Sequence, residues 1–383
     1  MKLGIVTWFH YINYGTALQA YALQKFLKSK GYYCVLINYI PKNETFIEKI
    51  KSGNYRKKIV SKIEYYRFKS LKYDVKKKID ERKALFKSFL DKYIDFTNKI
   101  QSREDLYKLN ENIDCFICGS DQIWNPENLN GVYFLDFVDN KRKKISYAPS
   151  FGVMHIPKSK KKKIQNWINR FDKLSIREED GANILKTLVQ KQKHVEVVVD
   201  PTLLLSKFDW EECMVNPHSQ EEYILCYFLG DRKEYWDAVE NFENLTKYKV
   251  VVIPVKFNSF NKNYDIRISV GPEEFIGLIR NAKLILTDSY HGIIFSLIFG
   301  KDFYAFKRFN DRRKDSQNSR VYNILKMCDL EERLIDNNFY DNCNFNIHID
   351  KYEQVYKILL NKIENSKSFL IRSLYEGCVE KSE

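Results

Sequence analysis

Short apolar runs that alternate with helical patterns constrain this chain more than any other feature. The runs 2–7, 33–39, 114–118, 144–148, 173–176 and 195–199 have strand length, and the last stops at Asp200-Pro201. Helical patterns at 16–28, 164–171 and 180–190 lie between them. Strands that alternate with helices indicate βαβ units and parallel sheet. A polar stretch, 207–222, contains Pro217 and reads as a linker. Beyond it the alternation restarts, with strands at 223–229, 249–253, 283–287 and 303–306 and helices at 233–246, 272–281, 293–299 and 320–328. The segment 310–317 reads as a charged loop, and 350–374 as a terminal helix. At 383 residues the chain exceeds one hydrophobic core. The expected architecture is α/β, with two doubly wound Rossmann-like domains facing a cleft. Residues 1–208 form the first domain, carrying a basic helical stretch at 49–92. Residues 220–349 form the second, and a helix in 350–383 returns to the first.

The segment Asp288-Ser-Tyr-His291-Gly-Ile-Ile294 joins one apolar run to another. A strand that enters a helix through a glycine turn presents its turn residues at the carboxyl edge of a sheet, where α/β proteins bind ligands. The free N–H groups of the helix start favour an anion. A histidine there can move a proton near neutral pH beside a bound phosphate or carboxylate. The alternative is that His291 is a hydrogen-bonded structural residue.

Composition removes several classes. No segment approaches the roughly 18 unbroken apolar residues that span a membrane, and the first residues lack the apolar core of a signal peptide, so a cytoplasmic protein is expected. The eight cysteines have no framework spacing. Cys115 and Cys118 lie three apart on an expected strand and so point to opposite faces, which suits core thiols rather than a metal or redox pair. The six histidines are well separated, and no spacing suggests zinc. The net charge of +14 is uneven: 49–92 holds 16 Lys and Arg against 5 Asp and Glu. Aromatic residues interleave with those charges. The stretch suits anionic lipid or nucleic acid, or simply a pair of helices with solvated basic faces.

Several motifs occur in one order: Asn13-Tyr-Gly-Thr-Ala-Leu-Gln-Ala-Tyr-Ala-Leu23, Gly119-Ser-Asp-Gln-Ile-Trp124, Ser146-Tyr-Ala-Pro-Ser-Phe-Gly152, Ser175-Ile-Arg-Glu178, Asp200-Pro-Thr-Leu-Leu204, Thr287-Asp-Ser-Tyr-His-Gly292 and Asn318-Ser-Arg320. With them the chain resembles the polysaccharide pyruvyl transferase family, which transfers the enolpyruvyl carbons of phosphoenolpyruvate onto a sugar as a ketal. The resemblance implies a fold similar to the two-domain GT-B architecture. It implies that His291 contacts phosphoenolpyruvate and serves in acid/base chemistry, and that Arg177 holds the donor's charged groups. Lys307 and Arg308, with Arg320 behind them, are the candidates to complete the donor site. Some relatives carry an arginine two residues before the histidine, where this chain has Ser289, so one cation of the expected clamp is missing.

Ketal formation needs an acid for the enol carbon, cations for carboxylate and phosphate, and a base for the sugar hydroxyls. Arginine suits the clamp because its planar fork makes two parallel hydrogen bonds. Arg177 follows a short strand, so its guanidinium is expected to project from the sheet edge, with a salt bridge to Glu178 or Glu179 as the alternative. The acceptor is expected on the first domain. Asn13, Tyr14 and Gly15 give a loop of close backbone approach, Asp121 is the candidate base, Gln122 offers hydrogen bonds, and Trp124 offers a flat face for a sugar ring. Each has a plain alternative: an N-cap region at Asn13, core at Trp124, a turn at Asp121. No cofactor or metal is expected. The partners implied are phosphoenolpyruvate and a sugar, commonly carried on a polyprenyl diphosphate at the inner membrane face, where the basic stretch could give peripheral attachment. Competing readings are a nucleotide-sugar glycosyltransferase on the same fold, and a non-catalytic membrane or nucleic-acid binding module. The last leaves the ordered motifs unexplained, so nucleic acid is disfavoured.

Overall fold

The structure is a computed structural model, and it describes residues 1–40, 66–190, 192–217, 221–311, 317–335 and 346–375. The first domain runs β1 (Lys2–Val6), α1 (Tyr14–Ser29), β2 (Tyr33–Leu36), α2 (Tyr73–Tyr93), α3 (Arg103–Asn112), β3 (Cys115–Cys118), β4 (Lys143–Ser146), α4 (Lys158–Ile168), β5 (Leu174–Ile176), α5 (Glu179–Lys186) and β6 (Val195–Val197). Its strands pair in parallel in the order β2-β1-β3-β4. β5 and β6 continue the layer through a bridge from Ile145 to Lys173. The order reverses between β1 and β3. The period-two pattern sorts the faces: Leu3, Ile5, Cys115 and Ile117 pack with α1, while Val6, Phe116 and Cys118 pack in the opposite layer. Cys115 and Cys118 are buried free thiols on opposite faces of β3.

The second domain follows α6 (Lys207–Glu211) and runs β7 (Tyr223–Tyr227), α7 (Lys233–Thr246), β8 (Lys249–Val252), β9 (Asp265–Ile266), α8 (Pro272–Asn281), β10 (Leu284–Thr287), α9 (Tyr290–Ile298), β11 (Asp302–Phe306), α10 (Ser319–Met327) and β12 (Leu334–Ile335). Its strands are parallel in the order β12-β11-β10-β7-β8-β9. Here the order reverses between β7 and β10. Each sheet therefore has one topological switch point, where ligands bind in open α/β sheets.

The two domains share one apolar core. The Tyr14 ring of α1 stacks on Phe275 of α8 at 4.2 Å, and its hydroxyl donates to the Val270 carbonyl at 2.9 Å. The stretch expected to be a linker is tied down where it is described. Ser206 and Asp209 form a capping box for α6, and Trp210 is fully buried against Tyr21 and Phe295, with its indole donating to Thr202. Cys213 is buried beside it, and Glu211 and Glu212 pair with Arg280 and Lys25. α3 was not apparent from apolar periodicity because only Leu106 and Asn110 of its residues are buried; the capping box of Ser102 and Asp105 was its legible signal. The terminal helix α11 (Tyr352–Tyr375) lies against the first domain, where Ser366 accepts from the Val199 amide at 3.0 Å and Arg372 meets Glu196 at 2.6 Å.

Of the basic stretch, 49–65 lies outside the described residues. α2 straps the first domain onto the second. Phe86 and Phe89 are buried in the shared core, so they are not free to meet a membrane or a nucleic acid, while Lys76, Lys77 and Lys78 are exposed. Among the described residues no helix is long and apolar enough to cross a membrane. Arg82 is buried and donates to the carbonyls of Ile268 at 2.6 Å and Pro254 at 2.7 Å. Replacing it strands those carbonyls in the interface. Arg82→Met should lower unfolding free energy by about 2–4 kcal/mol, read as a lower midpoint in urea. An unchanged midpoint would mean that the strap contributes nothing.

Candidate functional site

The two switch points open into one cavity of about 220 Å³. The first domain contributes Trp8, Asn13, Thr16, Asp121 and Gln122, and the second contributes Ser289, Tyr290, His291, Arg308, Gln317 and Arg320. Two helices begin there. Asn13 caps α1 by accepting from the Thr16 amide at 3.2 Å, and Ser289 caps α9 by accepting from the Gly292 amide at 3.4 Å. Their N-termini favour a bound anion. The helices meet closely: a Cβ added to Gly15 would lie 1.9 Å from His291 Nδ1. The His291 ring is thus seated on the first turn of a helix from the other domain, and only glycine permits this.

Behind the histidine lies a fully buried carboxylate, Asp200. It accepts from Arg177 Nη1 at 2.7 Å, from the Thr202 amide and hydroxyl at 3.1 and 2.8 Å, and from Ser120 Oγ at 3.3 Å. His291 Nε2 stands 3.6 Å away, too long for a hydrogen bond, and is buried without a partner among the described residues. Burial works to raise the Asp200 pKa, but His291, Arg177 and the Thr202 amide outweigh it and hold the carboxyl well below the ordinary range.

Arg177 departs from the expected projection into the ligand space. Its side chain is buried between Asp200 and Glu178, the latter accepting from Nε at 3.1 Å, and it lies over the Tyr290 ring at 4.5 Å. Burial opposes its charge, and Glu178, Tyr290 and Asp200 overcome this to raise its pKa. Arg177 lines an adjoining cleft of about 520 Å³ rather than the smaller cavity, and the two spaces share Tyr290 and Arg320 as walls. Nη2 has no partner.

Two other arginines do reach the smaller cavity. Arg308 is aimed by Asp288, which accepts from its Nε at 3.0 Å while also accepting from the amides of Leu229 and Gly230 at 2.6 and 2.7 Å. Arg320 faces Gln122. With its amide oxygen turned to the guanidinium, Gln122 accepts from Nη2 and Nη1 at 2.6 and 2.8 Å. Burial, then the like charges of Arg177 and Arg308, push the Arg320 pKa down to about 10. It remains a cation at neutral pH, and among the described residues no carboxylate is bonded to it, which suits an incoming anion.

The remaining expected residues divide. Asp121 lines the cavity in a left-handed conformation (φ 64°) and already accepts from Thr16 Oγ1 at 2.9 Å and from the Gln122 amide at 2.8 Å. Trp124 is no sugar platform: it is fully buried, stacked on Phe134 at 5.2 Å, with its indole donating to Tyr133. Tyr14 is turned into the domain interface. Lys307 pairs with Asp311 at 3.4 Å and does not line the cavity. Sequence reasoning missed Asp200, Asp288, Thr16 and Trp8 as site residues. The legible signal for the first two was an aspartate at the carboxyl end of a strand, beside a proline or a glycine turn. Among the described residues no cluster of His, Cys, Asp or Glu is arranged to hold a metal ion.

Solved structures with the same two-domain arrangement include a glycosyltransferase from Rickettsia africae, with TM-score 0.51 and 14% identity over 98% of this chain and 99% of that one. A UDP-GlcNAc 2-epimerase from Neisseria meningitidis, bound to UDP-GlcNAc, gives TM-score 0.52 and 12% identity over 98% and 99%. At such identities the likeness concerns the fold, a GT-B-like pair of Rossmann-like domains. No curated protein matches the sequence. The family model for polysaccharide pyruvyl transferase matches residues 13–308, a span that contains Asn13, Asp121, Asp200, His291 and Arg308, and the chain belongs to that family.

Proposed function

We propose that this protein transfers the enolpyruvyl group of phosphoenolpyruvate onto a sugar as a ketal, in the synthesis of a surface polysaccharide. The observation that carries the reading is the meeting of His291 with Arg308 and Arg320 in a small cavity where two helices begin. Phosphoenolpyruvate carries a carboxylate and a phosphate, and the two arginines and the helix starts supply a donor to each. The sugar presents its reacting hydroxyls to the same cavity, beside Asp121 and Asn13.

In this reading His291 gives a proton to C3 of the enol, leaving cationic character at C2. One sugar hydroxyl adds to C2 and loses its proton to Asp121. The second hydroxyl then replaces the phosphate at C2, and its proton leaves with inorganic phosphate. No metal or redox partner enters that balance. The polar contacts of Asp121 leave it able to accept, since a carboxylate offers about four lone-pair sites.

First, phosphoenolpyruvate should raise the melting temperature, whereas UDP- and GDP-sugars should not; the reverse would favour a glycosyltransferase on the same fold. His291→Gln should fold and lose about 10²-fold or more in turnover, the contribution of a positioned general acid. Near-normal turnover would remove the histidine from the mechanism.

Second, Arg320→Gln should weaken phosphoenolpyruvate binding about 10-fold or more, the worth of a charge-assisted hydrogen bond. Since Arg177 and Arg308 repel this cation, the free protein's melting temperature should not fall. A large fall with unchanged affinity would make Arg320 structural.

Third, the exposed lysines of α2 supply an electrostatic hold on anionic lipid, at about 1 kcal/mol per residue near the surface. Salt-sensitive binding to phosphatidylserine vesicles should be weakened by Lys76, Lys77 and Lys78→Glu, with activity on a water-soluble acceptor retained. Indifference of the wild type to such vesicles at low salt would leave these lysines as a solvated face.

A further inference from the structure

Asp200 is the point where the two domains meet beneath the site. It belongs to the first domain, is fully buried, and spends Oδ1 on Thr202 and Oδ2 on Arg177 and Ser120. The same Oδ2 is the polar atom 3.6 Å from His291 Nε2, which belongs to the second domain and has no partner. A buried nitrogen without a partner is unfavourable, and an ionised carboxylate can only accept, so the proton shared between them belongs on Nε2. In unliganded sites acid–base hydrogen bonds are often long and tighten on binding. We propose that Asp200 is a positioning residue that accepts a hydrogen bond from His291 Nε2–H when an anion fills the cavity, so that in the neutral ring Nδ1, on the Gly15 side, carries the lone pair and is the nitrogen that takes up the proton given to C3. Arg177 acts one step further back, holding Asp200 in place at 2.7 Å. The tautomer is then set across the domain interface, and neither domain alone carries a competent histidine.

The inference rests on the proposed reaction only for its kinetic consequence, because the tautomer can be read without turnover. The full chain labelled with ¹⁵N-histidine reports which nitrogen bears the proton, with His291→Gln identifying the resonance. The expected result is an Nε2–H tautomer in the wild type, alone and with inorganic phosphate, and a mixed or reversed population in Asp200→Asn. A neutral ring with its proton on Nδ1 in the wild type overturns the inference, and this measurement stands whether or not the variant folds. In turnover, Asp200→Asn should lower kcat about 10²-fold with little change in KM for phosphoenolpyruvate. A raised KM with intact kcat would place its effect on Arg177 alone and overturn the role in positioning. An Nε2–H tautomer in a protein that makes no ketal would leave Asp200's role standing and remove the donor reading instead.

Discussion

The contact between His291 and Gly15 is the constraint on which the site depends. The first turn of α1 and the first turn of α9 come from different domains, yet a methyl group would already collide between them. Bringing two partly positive helix ends to one place is unfavourable unless something negative joins them. In the resting protein Asp121 and Asp200 supply that charge, and the cavity leaves room for a bound anion to supply more. The shared apolar core, with Tyr14 against Phe275 and α2 strapped across by Arg82, holds the ends together. Core packing and the geometry of the site are thus one problem.

The buried charges follow a single plan. Asp288 aims Arg308, Asp200 holds Arg177, and Glu178 closes Arg177 from the other side. Asp288 and Asp200 are each surrounded by several donors, which compensates for taking an ion out of water. Arg320 is the exception, facing an amide where the other two face carboxylates. A cation left with weaker partners beside two like charges is poorly suited to stability and well suited to ligand binding, the usual compromise at functional sites.

Much of this was legible in the sequence. The alternation of apolar runs and helical patterns led to two doubly wound domains, and strand–glycine–helix logic placed His291 at a sheet edge. Asn13, Asp121, Gln122, Ser289, Arg308 and Arg320 meet in one cavity although up to about three hundred positions separate them. The rest was hidden for physical reasons. An exposed sugar platform and a core indole look the same in a row of letters, and only the stacking of Trp124 on Phe134 distinguishes them. Tyr14 sits next to a glycine that does line His291, but one step along a helix rotates a side chain by about 100°, enough to turn it into the interface. Asp200 read as the end of a strand because, apart from Thr202, the groups around its carboxylate come from Ser120, Arg177 and His291, none of them near it in sequence.

Ser289 shows how a local departure from a motif can mislead. An arginine at that position would bring a charge but no cap, since capping α9 requires a short side-chain oxygen, and Ser289 provides it to Gly292. The cation absent there reaches the same space from two other elements: Arg308 follows β11, and Arg320 stands in the first turn of α10. A clamp for an anion is defined by where its guanidinium groups end, not by where their backbones begin. With its long and rotatable side chain, arginine can occupy one point in space from several positions in a fold. Loss of a charge at one motif position therefore bears on how the donor is held, and leaves intact the case that this cavity holds an anion beside His291.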